Sequence, residues 1–188
     1  MPLKTIQPTI ALACEADVEL SLAVSNHAAK NTPANFALVP ETLHDWEQTY
    51  RAHHKMYPWL IAREGARFLG FAKASPHRAR GAYAWTAEVS VYIDEAAHGV
   101  GVGSALYNVL LPLLRAQGYA TLLAGIVGGH VPSERLHAKF GFVRCGTFHR
   151  VGWKFDRWHD VGYWELALLA DQDVPSPIRS VTEVMAIG

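Results

Sequence analysis

The chain has 188 residues, half of them hydrophobic, and its 17 basic side chains balance 17 acidic ones. This length predicts one domain with a packed core, and a neutral chain without a basic block gives no indication of nucleic acid or membrane as a partner. Cys14 and Cys145 lie far apart without metal-type spacing, which favours a reduced protein. The N-terminal residues lack the basic start and long apolar run of a signal peptide, so we predict a cytoplasmic protein.

In the first part of the chain, two helices precede a run of strands. A weakly β-like stretch at Thr5–Ala13 comes first, and apolar spacing then predicts a helix from Glu15 to about Lys30. A second helix begins after Pro40-Glu41-Thr42, with apolar residues at helical spacing from Leu43 to Tyr50. The strands that follow are predicted at Trp59–Arg63, Arg67–Ala74 and Tyr83–Ile93.

In the second part, helices and strands alternate. A helix is predicted from Ser104 to Gln117, and Pro112 should kink it because proline removes a backbone donor. The remaining predicted elements are a strand at Tyr119–Val127, a helix from Pro132 to Gly141, and strands at Val143–Val151 and His159–Leu168. This order suits an α+β fold with a mixed sheet, and residues 171–188 are predicted to form an extended tail.

One carboxylate lies on the Tyr83–Ile93 strand, shortly before a glycine-rich turn. Strand alternation puts Glu88 on one face with Thr86, Ser90 and Tyr92, so we expect it to be partly desolvated. Such a carboxylate suits a general base. The alternative is that Glu88 is an ordinary solvent-exposed strand residue without a catalytic role. Its position just before the glycine-rich turn favours the interpretation as a general base.

The turn itself reads His98-Gly-Val-Gly-Val-Gly and leads into the predicted helix. Glycines let the backbone approach phosphates closely, and N–H groups at a helix start can hold a pyrophosphate. The chain contains neither G-x-G-x-x-G nor G-x-x-x-x-G-K-[ST], which disfavours dinucleotide and ATP cradles.

The turn resembles the acetyl-CoA motif of the GNAT acyltransferases, Q/R-x-x-G-x-G/A, with His98 in the Gln/Arg place. Over nearly its whole length the chain is similar to the phosphinothricin N-acetyltransferase branch of that family. The matching segments are spread along the chain: Thr32–Phe36, Tyr57–Leu60, Arg78–Thr86, Glu88, Val91–Ile93, Ser133–Phe142, Gly152–Trp164 and Pro177–Thr182. The resemblance implies a GNAT fold of about seven strands flanked by about four helices, with residues 1–170 as a single acetyltransferase domain.

This resemblance also implies the activity. The expected enzyme transfers an acetyl group directly from acetyl-CoA to the α-amine of a small glutamate-like amino acid, of the phosphinothricin or methionine sulfoximine type. Glu88 would be the general base, and His137 a general acid or, equally, a structural residue. The family's cofactor contacts map onto two short segments: Val91, Tyr92 and Ile93 beside the pantetheine arm, and Gly99, Val100, Gly101, Val102, Gly103 and Ser104 around the pyrophosphate. A homodimer is implied by the resemblance alone.

On the substrate side, the resemblance implies Arg78 and Arg80 as a bidentate grip for the anionic groups of the amino acid. An ordinary solvated pair of arginines is the alternative. Phe36 and Tyr83 are candidate aromatic walls of the pocket, or core residues. Two further residues, Lys154 and His159, are expected to approach the amine site across a dimer boundary.

The chain departs from the family's pattern at four positions. His98 replaces a longer polar side chain at the turn, and His130 stands where relatives carry Asn after the fifth strand. We expect His130 still to offer one hydrogen bond to the cofactor. His77 replaces a Trp and Lys73 a Tyr, which changes the shape and polarity of the substrate pocket.

Two other functions stay open from the sequence. One is the same chemistry on an aminoglycoside, a polyamine or a protein N-terminus, although these cations suit Arg78 and Arg80 poorly. The other is an acyl-CoA-binding module without catalysis. The histidines show no recognised ligand spacing, so we expect no metal.

Overall fold

The computed structural model describes residues 6–170 and 174–186. Seven strands form one sheet in the order β1-β2-β3-β4-β5-β7-β6. Neighbouring strands are antiparallel except β4 and β5, which run parallel. Their bounds are β1 Thr9–Leu12, β2 Trp59–Glu64, β3 Arg67–Pro76, β4 Thr86–Ile93, β5 Thr121–Val127, β6 Val143–Lys154 and β7 Arg157–Ala167. The predicted α+β fold with a mixed sheet is confirmed.

Five α-helices lie in the described ranges, one more than expected. They are α1 Glu15–Asn31, α2 Leu43–His53, α3 Val102–Gln117, α4 Val131–Lys139 and α5 Val181–Met185. Thr42 caps α2, its hydroxyl accepting from the Asp45 N–H, as the Pro-Glu-Thr start predicted. Helix α3 begins at Val102, two residues before the predicted start, and continues through Pro112 to Gln117.

The two faces of the sheet are covered by different helices. On one face, α1 and α2 pack against aromatic side chains of β2 and β3, with Trp46, Trp59 and Phe71 at the centre of the cluster. On the other face, α3 buries its leucine stripe against small and β-branched residues such as Ala72 and Val89. Alternation along β4 therefore turns Glu88 toward the α1/α2 face.

Strands β4 and β5 separate soon after they meet. They pair only over Thr86–Glu88 and Thr121–Leu123. Strand β5 instead stays paired with β7 as far as Val127. A V-shaped opening follows between β4 and β5, which we call the cleft, and Glu88 lies at its apex.

The C-terminal segment differs from the predicted extended tail. Residues 181–185 form α5, which begins with a capping box between Ser180 and Glu183. The segment is also tied to the domain, because Gln117 donates to the Arg179 carbonyl at 2.8 Å and Trp85 to the Ser176 carbonyl at 2.7 Å. The remainder of the predicted tail, residues 171–173 and 187–188, lies outside the described residues.

Candidate active site

Glu88 is held by a partner that the sequence analysis did not identify. Its Oε1 lies 2.6 Å from Nδ1 of His77, at the loop end of β3. The His77 side chain is 15% exposed and that of Glu88 is 38% exposed, so the carboxylate is only partly desolvated. A carboxylate can only accept, so Nδ1 carries the proton of this bond. Nε2 is then the basic nitrogen of the imidazole.

An aromatic ring contacts the His77–Glu88 pair, and a guanidinium lies over that ring. The Tyr83 ring meets His77 edge-on, with ring centroids 5.5 Å apart, and the Arg78 guanidinium carbon lies 5.4 Å from the Tyr83 centroid. Tyr83 was predicted on the strand, yet it belongs to a short 3-10 helix, Gly81–Tyr83, which Arg80 precedes. Tyr83 thus contacts the His77–Glu88 pair directly and Arg78 contacts it only through Tyr83, while Arg78 and Arg80 are both exposed.

Lys73 lies on the same sheet face, two positions from the residue opposite Glu88. Its Nζ is 4.3 Å from the Trp46 ring centroid and 4.5 Å from that of Trp59. Burial lowers the pKa of this ammonium to about 8, against the opposing effect of Glu41. No hydrogen bond from Nζ to another residue of the described ranges is found, so the ammonium keeps unused donors.

Successive residues of β4 direct their backbone N–H and C=O groups alternately toward β3 and toward β5 or the cleft. The Ala74 N–H donates to the Pro58 carbonyl, away from β4, so Ala74 and its partner Val89 do not bond to each other. By alternation, Val91 and Ile93 also direct their backbone groups toward the cleft. Tyr92 faces β3 instead, and its ring stacks on Phe71 at 5.4 Å. The backbone groups suited to a cofactor on this strand are therefore those of Val91 and Ile93, and the cofactor contact of Tyr92 stays a prediction.

Two histidines flank the cleft. His98 donates from Nε2 to the Ile93 carbonyl at 3.0 Å, so this cleft-facing carbonyl already has a partner. No side chain in the described ranges makes a comparable hydrogen bond to the backbone of Val91. His130 is the N-cap residue of α4, but its side chain does not cap the helix. Burial and the neighbouring His98 lower the pKa of His130, so this imidazole is neutral near pH 7.

The glycine turn positions the start of α3. Gly99 has φ 76° and Gly101, the N-cap, has φ 95°, a region that favours glycine. Buried Val102 anchors the first turn in the core, and Val100 packs against the same cluster. The N–H groups of the first turn, through Gly103 and Ser104, have no intrahelical acceptor, so this end of α3 is suited to an anion.

A lysine that the sequence analysis did not consider lies beside this turn. Lys139, at the end of α4, donates to the Ser104 hydroxyl at 2.9 Å. Its ammonium adds a positive charge to a helix end that already favours anions. The two residues are 35 positions apart, so no local pattern indicates their proximity.

His137 is buried and fully bonded, which supports the structural alternative over the role of general acid. Nδ1 donates to the Ser133 carbonyl at 2.8 Å, and Nε2 therefore accepts from the Tyr107 hydroxyl at 2.8 Å. The residue is 3% exposed, and burial lowers its pKa. Both nitrogens are used within the protein, so the contacts of His137 favour a structural role, and its part in catalysis stays a prediction.

The remaining candidates form a separate cluster at the β6–β7 hairpin. Lys154 donates to the carbonyls of Ala29, Asn35 and Ala37, and burial lowers its pKa. His159 donates from Nε2 to the Lys154 carbonyl at 2.9 Å. Phe36 packs against Gly152, where a Cβ would lie 2.3 Å from the ring. These contacts fasten the loop after α1 to the hairpin, and none of them reaches Glu88.

The described part of the chain has neither a candidate metal site nor a helix suited to spanning a membrane. No group of three or more His, Cys, Asp or Glu side chains could hold a metal ion there. None of its helices combines the length and apolar character needed to cross a membrane.

Comparison with known proteins gives matches over most of the chain. The family model of the acetyltransferase (GNAT) domain matches residues 24–162. The chain is 36% identical over 175 residues to a phosphinothricin N-acetyltransferase from Streptomyces viridochromogenes, with 93% of each chain covered. It is 33% identical over 162 residues to an L-methionine sulfoximine/L-methionine sulfone acetyltransferase from Pseudomonas paraeruginosa, covering 85% of this chain and 94% of that protein.

A solved structure agrees with the sheet and helices described above. It is a GNAT superfamily phosphinothricin acetyltransferase from Sinorhizobium meliloti in complex with acetyl-CoA, with a TM-score of 0.86 and 28% identity. The match covers 91% of this chain and 94% of that one. The expected GNAT fold is confirmed, and the chain belongs to the GNAT acetyltransferase family.

Proposed function

We propose that the protein is an acetyl-CoA-dependent N-acetyltransferase that acts on the α-amine of a small glutamate-like amino acid. Phosphinothricin and methionine sulfoximine, the compounds in the relatives' names, define the substrate type. Single-domain organisation over residues 1–170 and cytoplasmic location remain predictions from the sequence.

The cofactor side of the site fits acetyl-CoA as co-substrate. The unpaired N–H groups at the start of α3, with the Lys139 ammonium beside them, suit its pyrophosphate. The unpaired edge of β4 in the cleft suits the amide groups of its pantetheine arm, as in strand addition. The Val91 N–H lies on that edge and is the proposed donor to the thioester carbonyl, where negative charge develops during acyl transfer.

The acceptor side favours an anionic amino acid. Two cations lie among the neighbours of Glu88: Arg78 is placed over the Tyr83 ring that contacts His77, and Lys73 lies on the same sheet face as Glu88, opposite Ser90. A carboxylate and a phosphinate or sulfoximine group suit these cations, whereas a polyamine or aminoglycoside does not. Glu88 is the proposed general base: directly or through a bridging group, it removes a proton from the substrate ammonium, so that the nitrogen gains a lone pair.

We propose direct transfer without an acyl-enzyme, and the surroundings of the two cysteines support it. Cys14 precedes α1, and Cys145 on β6 donates to the Tyr163 carbonyl at 3.4 Å. Partial burial and the nearby Glu165 raise the pKa of the Cys145 thiol, which disfavours a nucleophilic thiolate.

The single observation that carries the proposal is the position of Glu88 at the apex of the cleft. Its side chain contacts the His77 imidazole on the α1/α2 face of the sheet, and the backbone of Val91 faces the cleft. The test measures CoA release from acetyl-CoA with a panel of amino acids and amines. We expect turnover with phosphinothricin or methionine sulfoximine, whereas acetyl-CoA binding without turnover on any amine would favour the non-catalytic binding module.

A homodimer is proposed through the β6–β7 hairpin. Large apolar side chains on this hairpin are about half exposed: Phe148 57%, Val151 53%, Trp153 51%, Phe155 50% and Trp158 48%. A second copy of the chain would remove this apolar area from water. Sedimentation should give twice the monomer mass for the native protein and the monomer mass for Trp153→Glu. A monomeric native protein would contradict this assembly.

A further inference from the structure

The imidazole of His77 and the carboxylate of Glu88 form a base with its own orienting group. Their 2.6 Å contact links a loop residue to the strand residue at the cleft apex. The bond fixes the tautomer, because Nδ1–H donates to the carboxylate. The lone pair of the imidazole is therefore on Nε2, and no residue of the described ranges donates a hydrogen bond to it.

The surroundings limit how the imidazole can turn. The Tyr83 ring contacts it edge-on, and the His77 side chain keeps 15% of its exposure. The cations on this side of the sheet are Arg78, which lies over the Tyr83 ring, and Lys73, which lies earlier on β3 opposite Ser90. The carboxylate of Glu88 is the anion in contact with the ring, so it stabilises a positive charge that forms there.

We propose, building on the function proposed above, that His77 is the residue that accepts the proton from the substrate ammonium. Glu88 then acts through His77: it holds the ring in one tautomer and stabilises the imidazolium. The pair divides the work of a general base between two side chains, in the way that a carboxylate orients an imidazole in other acyl-transfer sites.

The proton and electron balance is simple. Nε2 of His77 takes one proton from the ammonium, and the nitrogen lone pair this leaves forms the N–C bond to the thioester carbonyl. The π electrons of that carbonyl move to its oxygen and return as the C–S bond breaks, so the sulfur leaves with the bonding pair. The second nitrogen proton passes to the thiolate to give CoA–SH, and the imidazolium of His77 releases its proton to solvent.

Two variants of His77 separate accepting a proton from holding Glu88. In His77→Asn, the amide nitrogen takes the place of Nδ1 as a donor to Glu88, but no basic nitrogen remains. In His77→Ala both functions are lost. We expect kcat to fall about 100-fold or more in both variants, with KM for the amino acid within about threefold of wild type. Added imidazole should restore part of kcat in His77→Ala.

A second imidazole–carboxylate pair provides the matched control. His149 and Asp160 on the exposed hairpin are joined at 2.8 Å, and His149→Ala should keep the wild-type kcat. If His77→Asn keeps wild-type kcat, or if imidazole fails to restore His77→Ala, the proton goes elsewhere and the inference is overturned. Absence of turnover by the wild-type enzyme would instead refute the proposed function, so the two failures are distinguishable.

Discussion

Two polar regions of this protein contain the same residue types and use them differently. Around Glu88, His77 keeps one nitrogen unbonded within the described chain, and the Lys73 ammonium keeps its donors. Around the β6–β7 hairpin, the Lys154 ammonium donates to three backbone carbonyls, and His159 donates to the carbonyl of Lys154. The difference teaches that unused hydrogen-bonding capacity, rather than residue type, marks the groups available to a ligand.

The largest expected effect is a loss of kcat on substitution of Glu88, which should leave the β6–β7 hairpin region intact. Glu88→Gln keeps an acceptor oxygen for His77 but removes the negative charge, so kcat should fall by about two to four orders of magnitude. The melting temperature should change little, because the side chain is 38% exposed. Steady-state CoA release and thermal melting give both numbers, with Glu64→Gln on an exposed strand end as control. An unchanged kcat would remove Glu88 from the mechanism.

The structural region is tested by Lys154→Met. The substitution leaves the carbonyls of Ala29, Asn35 and Ala37 without their ammonium donor, which should lower the free energy of unfolding by about 2–3 kcal/mol. Urea unfolding measures the loss, and Lys30→Met at an exposed position of α1 is the control. A variant with wild-type stability and a strongly raised KM for the amino acid would return Lys154 to the substrate site.

A pH experiment tests the burial of the Lys73 ammonium beside Trp46 and Trp59. Its pKa in the folded protein is about 8, below the ordinary 10.5, so between these values the unfolded chain binds more protons. Stability should therefore rise with pH across this window, by up to about 3 kcal/mol for this group. Urea unfolding at pH 7 and pH 10 should show this rise in wild type and a smaller one in Lys73→Met. Equal pH dependence in both proteins would contradict the burial of this ammonium.

The smallest expected effect is a change in the KM for acetyl-CoA on substitution of Lys139, beside the start of α3. Lys139→Met removes a charge beside the start of α3, and we expect the KM for acetyl-CoA to rise about threefold with kcat unchanged. The difference should shrink at high salt because the ammonium is near the surface. Lys55→Met, exposed and distant from the turn, is the control. A salt-independent change in KM would argue against a charge effect.

The sequence predicted features whose signals are local. Strand β4, the glycine turn and helix α3 follow one another directly, so their order and the candidate base could be identified from one segment. The helix α5 was missed although its capping box, Ser180 with Glu183, is readable in the sequence.

Features that depend on register or on remote contacts could not be predicted. The pairing of His77 with Glu88 follows from the register that sets Ser75 opposite Glu88. His137 was a candidate acid because the family resemblance implied that role, but its hydrogen bond to Tyr107 on another helix cannot be recognised from the sequence. The position of Tyr83 on a 3-10 helix likewise depends on how the loop folds onto the pocket.

A crystal structure with acetyl-CoA tests the central claim most directly. We predict that the thioester carbonyl oxygen lies about 3 Å from the Val91 nitrogen, inside the cleft and beside the Glu88 pocket. An acetyl group bound outside the opening between β4 and β5, or a pyrophosphate away from the start of α3, would contradict the account.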